Sequence, residues 1–192
     1  MFRAYLARVE EESKSQACKA GIPANRRYFG GMSTEIRLMD QNERATVALL
    51  FHDVWHETQG PLQDPRMSKY RSLAFFEDRM EQRAGRTIVG LIDGRIGGFA
   101  VWTGGRLNSL FCERRCRGQG LGEALCLRAE AEMTATGAQQ FELDCVYGNN
   151  AGRRFYERLG WRVGSLELLE SETPEGVCHV QSWRMVKTKG PV

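Results

Sequence analysis

The chain has 192 residues, 42% hydrophobic and 27% charged, which suits one ordinary globular domain with a full core. Its net charge of +3, with acids and bases interspersed, gives no electrostatic case for nucleic acid as a main partner, and no apolar run approaches a membrane span or a signal-peptide core. Six scattered cysteines without a C-x-x-C pair read as reduced thiols, not as disulfides or a zinc site, so a cytoplasmic location is expected.

Residues 1–31 stand apart from the rest. Phe2, Tyr5, Leu6 and Val9 fall at helical spacing and predict a short amphipathic helix before a turn-rich linker from Gly21 to Gly31. Glu10, Glu11 and Glu12 argue against a transit peptide. The segment is expected to be an N-terminal extension, with Met32 as an alternative translation start and a compact domain over 32–190.

From Met32 the pattern tightens. Thr34 to Met39 alternates as a first strand, Asp40 with Glu43 resembles a capping box, and Val47, Leu50, Phe51, Val54 and Trp55 give the next helix one apolar face. His52 and His56 lie near one another on a flank of that helix. His52-Asp53-Val54-Trp55-His56 superficially matches the zinc-protease H-E-x-x-H, but Asp replaces the Glu base and only His179 could add an imidazole. Exposed or groove-edging histidines are expected, and no metal.

Gly60 to Met67, with two prolines, reads as a loop, and Ser68 as the cap of a second helix through Ala84 that ends at Gly85. Arg86 to Ile92 and Ile96 to Trp102 form a predicted hairpin about Asp93-Gly94, where the turn needs positive φ. Leu107 to Cys112 is the fourth strand. After the glycine-rich stretch that follows it, Leu121, Leu125, Ala129 and Met133 recur every fourth residue as the core stripe of a helix stopping at Gly137. Gln140 to Val146 is a fifth strand, with Phe141, Leu143 and Cys145 on one face and Glu142 and Asp144 on the other. Asn149 to Leu159 is the last helix, with Ala151, Phe155 and Leu159 as its buried stripe and Tyr156 beside it. Trp161 to Glu170 and Cys178 to Val186 make a closing strand pair around Ser171 to Gly176.

Strand, glycine loop and helix N-terminus together make an anion cradle, because unpaired amides and the positive end of the helix dipole converge there. A nucleotide-triphosphate loop needs Lys-Ser or Lys-Thr after its last glycine, and Gly122 is followed by Glu123 and Ala124. Gly118, Gly120 and Gly122 are also spaced wrongly for the dinucleotide fingerprint.

Arg117-Gly118-Gln119-Gly120-Leu121-Gly122 instead resembles the R/Q-x-x-G-x-G/A signature of the GNAT N-acetyltransferase superfamily, whose loop holds the pyrophosphate of acetyl-CoA. Downstream, Asn149 to Trp161 resembles the family's N-x-x-A-x-x-F-Y-E-x-x-G-F segment. Gly152 replaces the usual alanine, Trp161 the usual phenylalanine, and Arg114 stands where a proline is common. The motifs span Leu107 to Trp161, and the flanking pattern extends the resemblance over about Thr34 to Val186.

The resemblance implies an α/β (α+β) GNAT fold: a mixed, mostly antiparallel twisted sheet of about seven strands with helices on both faces. It implies an acyl-CoA-dependent N-acetyltransferase moving acetyl from acetyl-CoA directly to a primary amine, on a small molecule or on a peptide N-terminus or lysine, in a monomer or homodimer. The first two helices and their loop would wall the acceptor side. The fourth and fifth strands would splay so that pantetheine pairs with the backbone of Leu110, Phe111 and Cys112. Arg117, Gly118, Gln119, Gly120, Leu121 and Gly122 would hold the phosphates, Asn149 would contact pantetheine, and Tyr156 would be the general acid. An Asn before a helix can also be only its cap. Asp144 occupies the position of a catalytic glutamate in some protein N-terminal acetyltransferases and is the expected base, with Glu113 and Glu142 as rivals. Cys112 and Cys116 have no accompanying histidine and are expected to be packing thiols. The alternative is a non-catalytic acyl-CoA-binding regulatory module, against which intact Asn149 and Tyr156 count.

Overall fold

The structure, a computed structural model, describes residues 26–29 and 32–189. The helix expected over Phe2 to Val9 and the Cys18 thiol lie outside the described residues. Eight strands form one sheet: β1 (Arg26–Phe29), β2 (Met32–Leu38), β3 (Thr87–Ile92), β4 (Arg95–Thr103), β5 (Arg106–Cys112), β6 (Gln140–Val146), β7 (Arg162–Thr173) and β8 (Gly176–Thr188). Their order is β1-β2-β3-β4-β5-β6-β8-β7, and every neighbouring pair is antiparallel except β5 with β6. This is the mixed, mostly antiparallel sheet expected, with one strand more. Residues 26–29, read as part of a linker, pair with β2, Arg26 opposite Glu35 and Phe29 opposite Met32. They lack the turn residues that crowd the rest of that stretch, and β2 offers them an open edge.

Five helices cover the two faces: α1 (Arg44–Thr58), α2 (Pro65–Tyr70), α3 (Leu73–Glu81), α4 (Leu121–Ala135) and α5 (Asn150–Arg158). The face under α4 gathers Ile88, Ala100, Trp102 and Leu107 against Leu121, Leu125, Ala129 and Met133, the predicted stripe, all four of which are buried. The opposite face packs Val89, Phe99, Val101 and Phe111 against α1 and α3. Phe51 of α1 lies 4.5 Å from Phe76, 5.0 Å from Phe99 and 4.8 Å from Phe111, ring centre to ring centre. Close approach of α4 depends on glycine: a Cβ at Gly90 would stand 2.7 Å from Leu121 Cδ1.

A bulge in β5 decides what that strand shows to each face. Val101 pairs with Ser109 and Trp102 with Leu107, so Asn108 is the extra residue. One inserted residue flips the alternation. Leu107 therefore joins the α4 core while Phe111, an even number of residues on, joins the other.

Three expectations about element limits are corrected. The single helix from Ser68 to Ala84 is two helices. Asp64 accepts from Arg66 N at 2.9 Å and starts α2 early, with Pro65 in its first turn; Ser72 Oγ accepts from Phe75 N at 3.3 Å and starts α3. Arg71 between them leaves the helical region at φ −96, ψ 54, its carbonyl hydrogen-bonded to His56 Nε2 at 2.8 Å. The last hairpin runs further than its apolar alternation, so Ser171 to Thr173 belong to β7 and the turn shrinks to Pro174-Glu175. In α5, Ala151 is exposed, and the residues packed on the core are Phe155, Tyr156 and Leu159.

Candidate active site

β5 and β6 touch in register at one place, Arg106 with Glu142, supported by Glu142 N donating to Gly105 O at 3.0 Å. Beyond it β6 pairs along its length with β8, and the two strands part. The main chain from Leu107 to Cys112 thus has no ladder partner on its β6 side among the described residues. A cavity of about 820 Å³ opens in this V, and its walls include Leu110, Phe111, Cys112, Asp144, Asn149 and Tyr156. Residues expected from five separate stretches of sequence are brought together here.

The glycine loop closes one end. Gly118 and Gly120 have φ of +75° and +83°, and an added Cβ at either meets nothing within 4 Å, so these glycines serve the backbone conformation and leave the loop's outer side open. Gly122 differs: it lies inside α4, and its missing Cβ makes room for Phe155 at 3.5 Å. Ala124 N, donating to Gly120 O at 3.0 Å, is the first amide of the helix to find a carbonyl; those of residues 118–123 take none among the described residues. Three free N–H groups in the loop and three in the first turn of a 15-residue helix together suit a polyanion. The side chains of Gln119 and Leu121 do not reach the cavity. Gln119 turns back to Arg115 O at 2.6 Å, and Leu121 is buried under the helix, so only their amides are available.

Arg117 is braced. Its Nε donates to Cys112 O at 3.0 Å and its two terminal nitrogens to Glu57 at 2.9 Å each, which holds the Glu57 carboxyl below its usual range. Glu57 on α1 was not expected at the site; a carboxylate one helix turn before a proline-rich loop carries no motif.

Asn149 caps α5, its Oδ1 accepting from Gly152 N at 2.9 Å. The glycine at 152 matters, since a Cβ there would lie 2.7 Å from Asn149 Nδ2. Tyr156 packs between Phe155, at 5.0 Å, and Trp161, at 6.0 Å, and burial raises its phenol well above the usual 10. The phenol is therefore protonated at any physiological pH. Burial likewise pushes the Cys112 and Cys145 thiols up to about 12, which disfavours a thiolate nucleophile. Cys116 is buried beside Gly97, also with a raised pKa from burial.

Asp144 sits in the cleft, with both of its carboxylate oxygens hydrogen-bonded. One oxygen accepts from Arg184 Nε at 2.9 Å and the other from Arg106, while Glu142 accepts from the same two guanidinium groups at 2.7 and 3.2 Å. Two carboxylates and two arginines form a closed square at the narrow end of the V. Glu142, the rival, is held the same way, and Glu113 pairs with Arg115 Nε at 2.5 Å.

The wall opposite the glycine loop comes from α1, α2, α3 and the β7–β8 hairpin. Arg71 and Arg79 both reach this wall beside Phe75, at 4.2 and 5.3 Å from its ring centre, and Arg71 donates to Ser171 Oγ at 2.8 Å. Burial, with Arg83 and Arg71 nearby, pushes Arg79 down to about 10, and burial lowers Arg71 and Arg83. Sequence reading missed these arginines, although Arg71, Phe75, Arg79 and Arg83 recur at spacing four. His52 and His56 are half-buried on α1, hydrogen-bonded to Asp53 and to Arg71 O at 2.8 Å each, and are not among the cavity's wall residues. His179 is exposed on β8, and no group of three metal-ligating side chains occurs among the described residues.

The sequence profile of the acetyltransferase (GNAT) family matches residues 48–161. Among solved structures, the chain is similar to a GCN5-related N-acetyltransferase from Rhodopseudomonas palustris, with a TM-score of 0.65 and 16% identity over 80% of this chain and 94% of that one. It is also similar to the PaiA N-acetyltransferase of Thermoplasma acidophilum, solved with coenzyme A (TM-score 0.60, 15% identity, 81% and 99% covered). A third is YncA of Salmonella typhimurium, solved with acetyl-CoA (TM-score 0.58, 20% identity, 81% and 93% covered). No curated protein matches the sequence. The chain belongs to the GNAT acetyltransferase family, and its fold is the GNAT fold.

Proposed function

We propose that the cleft between β5 and β6 binds acetyl-CoA and that the chain transfers its acetyl group directly to a primary amine entering from the α1–α3 side, in the cytoplasm. The observation that carries this reading is the run of six unpaired amides from 118 to 123 beside the open edge of β5. When bound, acetyl-CoA supplies an activated acyl carbon and a thiolate leaving group.

The residues divide the work. Amides of 118–123 neutralise phosphate charge, with no Cβ at Gly118 or Gly120 in the way. The free edge of β5 at Leu110, Phe111 and Cys112 offers main-chain donors and acceptors for an amide-bearing arm, and an N–H there can polarise the acyl carbonyl. Asn149 has its oxygen occupied by the helix and keeps Nδ2 to donate. As the amine's C–N bond forms and the C–S bond breaks, Tyr156, a wall residue of the same cavity, gives its proton to the departing sulfur. The proton the amine loses returns to the phenolate through solvent. Asp144 is a positioning residue: with Glu142 it fixes Arg106 and Arg184 and so sets how far the V opens. We assign the acetyltransferase domain to 32–190 and the extension to 1–31, of which 26–29 add an edge strand; a chain starting at Met32 that retains acetyl-CoA binding would support this division, and an insoluble one would oppose it.

The test is an amine panel incubated with acetyl-CoA, with release of free thiol as readout. Acetylation of at least one amine by wild-type protein, lost in Tyr156→Phe, supports the assignment. Acetyl-CoA binding without turnover of any amine would favour a regulatory acyl-CoA-binding module.

A further inference from the structure

The cleft's arginines are not all matched: some face carboxylates, while Arg71, Arg79 and the exposed Arg158 face none among the described residues. Arg106 and Arg184 face Glu142 and Asp144, and Arg117 faces Glu57. Arg71 and Arg79 on the cleft wall, and Arg83 near Arg79 but outside the cleft's walls, have no carboxylate within salt-bridge distance among the described residues. Glu170, an acidic wall residue, is 74% exposed and meets only His179, at 3.9 Å. Arg71 is held by a hydroxyl and a thioether, and Arg83 keeps one terminal nitrogen buried with no acceptor at all. Collecting three part-buried like charges is costly for folding unless something else compensates, and stacking on one phenyl ring offsets only a small part of that. A ligand anion is the missing counter-charge. A second orphan lies in the same cleft: Asn108 Oδ1, at the bulge of β5, is buried without a donor.

We propose that the acceptor is a small amine that also carries an anionic group, a carboxylate or a phosphate, with Arg71 and Arg79 binding the anion, Arg83 adding to the local positive field, and Asn108 accepting from the amine. This rests on the acetyltransferase reading of the cleft and names its substrate class. Two guanidinium groups beside one aromatic ring present several N–H donors to a carboxylate or phosphate, a donor set that a lysine ammonium does not reproduce. The same positive wall repels polyamines, so simple cationic amines are disfavoured by construction.

The experiment is calorimetric titration of the full chain, with and without saturating CoA, by matched probes: β-alanine against β-alaninamide, glutamate against glutamine, O-phosphoethanolamine against ethanolamine, and spermidine as the cation. At least one anionic member binds about tenfold or more tightly than its neutral partner, a ratio typical of one charge-assisted hydrogen-bonded contact. The carboxylate and phosphate arms tell the two anions apart. Arg79→Gln abolishes the preference, Arg79→Lys retains part of it, and because Arg79→Gln removes an unmatched charge its melting temperature is unchanged or higher. Equal binding of anionic and neutral probes, tighter binding of spermidine, or no binding of any anionic amine at millimolar concentration overturns the proposal. So does an Arg79→Gln protein that melts lower yet keeps the preference, since the arginine is then packing. Failure of wild-type protein to bind CoA would sink the donor assignment instead, and the titrations without CoA still judge the arginines.

Discussion

The donor wall and the acceptor wall of the cleft both answer negative charge, by different means. On the donor side the positive charge is main-chain: six amides in the loop and first turn of α4, displayed by two glycines at positive φ and backed by a buried helix stripe. On the acceptor side it is side-chain: the guanidinium groups of Arg71, between α2 and α3, and of Arg79 in α3, steadied by a ring and by a serine a hundred residues from Arg71. Main-chain recognition suits a ligand that is always the same, because no substitution short of a backbone change alters it. Side-chain recognition suits a ligand that differs between relatives, because one codon alters it. Tyr156 lines the same cavity and is the residue proposed to serve the reaction itself.

The sharpest way to break this division is at that residue. Tyr156→Phe keeps the ring packed on Trp161 and removes one proton, so kcat falls about 10²–10⁴-fold while affinity for acetyl-CoA holds, measured by thiol release and by titration. Because burial keeps the phenol well above 10, the wild-type rate shows no decline from Tyr156 as pH rises to 9.

Next in size is the donor wall. Gly120→Val forces a β-branched residue to φ +83° and costs about 1–3 kcal/mol of stability, read in denaturant melts. It also weakens acetyl-CoA, because its new side chain projects into the open space before the amides; unchanged affinity would remove Gly120 from the contact. Asp144→Asn separates positioning from catalysis. Loosening the Arg106–Arg184 square costs about 1–2 kcal/mol, since these groups are only part-buried, and kcat drops less than about tenfold. A loss of kcat of about 100-fold or more at unchanged stability would restore Asp144 as the base.

The smallest effect concerns the thiols beneath the donor wall. Burial raises Cys112 from 9.0 to about 12 in the folded chain, so its contribution to stability is complete below pH 9 and is lost as pH climbs through 12. Alkylation by iodoacetamide at pH 8 therefore leaves Cys112 unmodified in the native protein and modifies it in urea.

The two walls were unequally legible in the sequence. Gly118, Gly120, Asn149 and Tyr156 lie within short motifs whose spacing fixes their chemistry, and the helix stripe from Leu121 to Met133 carries its own period. The bulge at Asn108 left no such trace, and it is what sends Leu107 and Phe111 to opposite faces. The break at Arg71 was hidden because Ser68 and Ser72 are both plausible caps, and only the contacts of Arg71 with His56 and Ser171 decide between one helix and two. Asp144 was recognisable by its place before Asn149, whereas its partners Arg106 and Arg184 were not, since they lie far off in sequence. Residues 26–29 become a strand only because β2 presents an edge to them.

The most direct test of the central claim is the melting temperature of wild-type protein with acetyl-CoA and, separately, with ATP and magnesium. A ligand specific for the native state at 100 times its Kd adds about 2.7 kcal/mol, which for a chain of this size is a rise of about 5–10 °C. Acetyl-CoA produces that rise and ATP with magnesium does not. Equal shifts with both, or none with acetyl-CoA, would contradict the assignment of the amide cradle and the open edge of β5 to the acetyl donor.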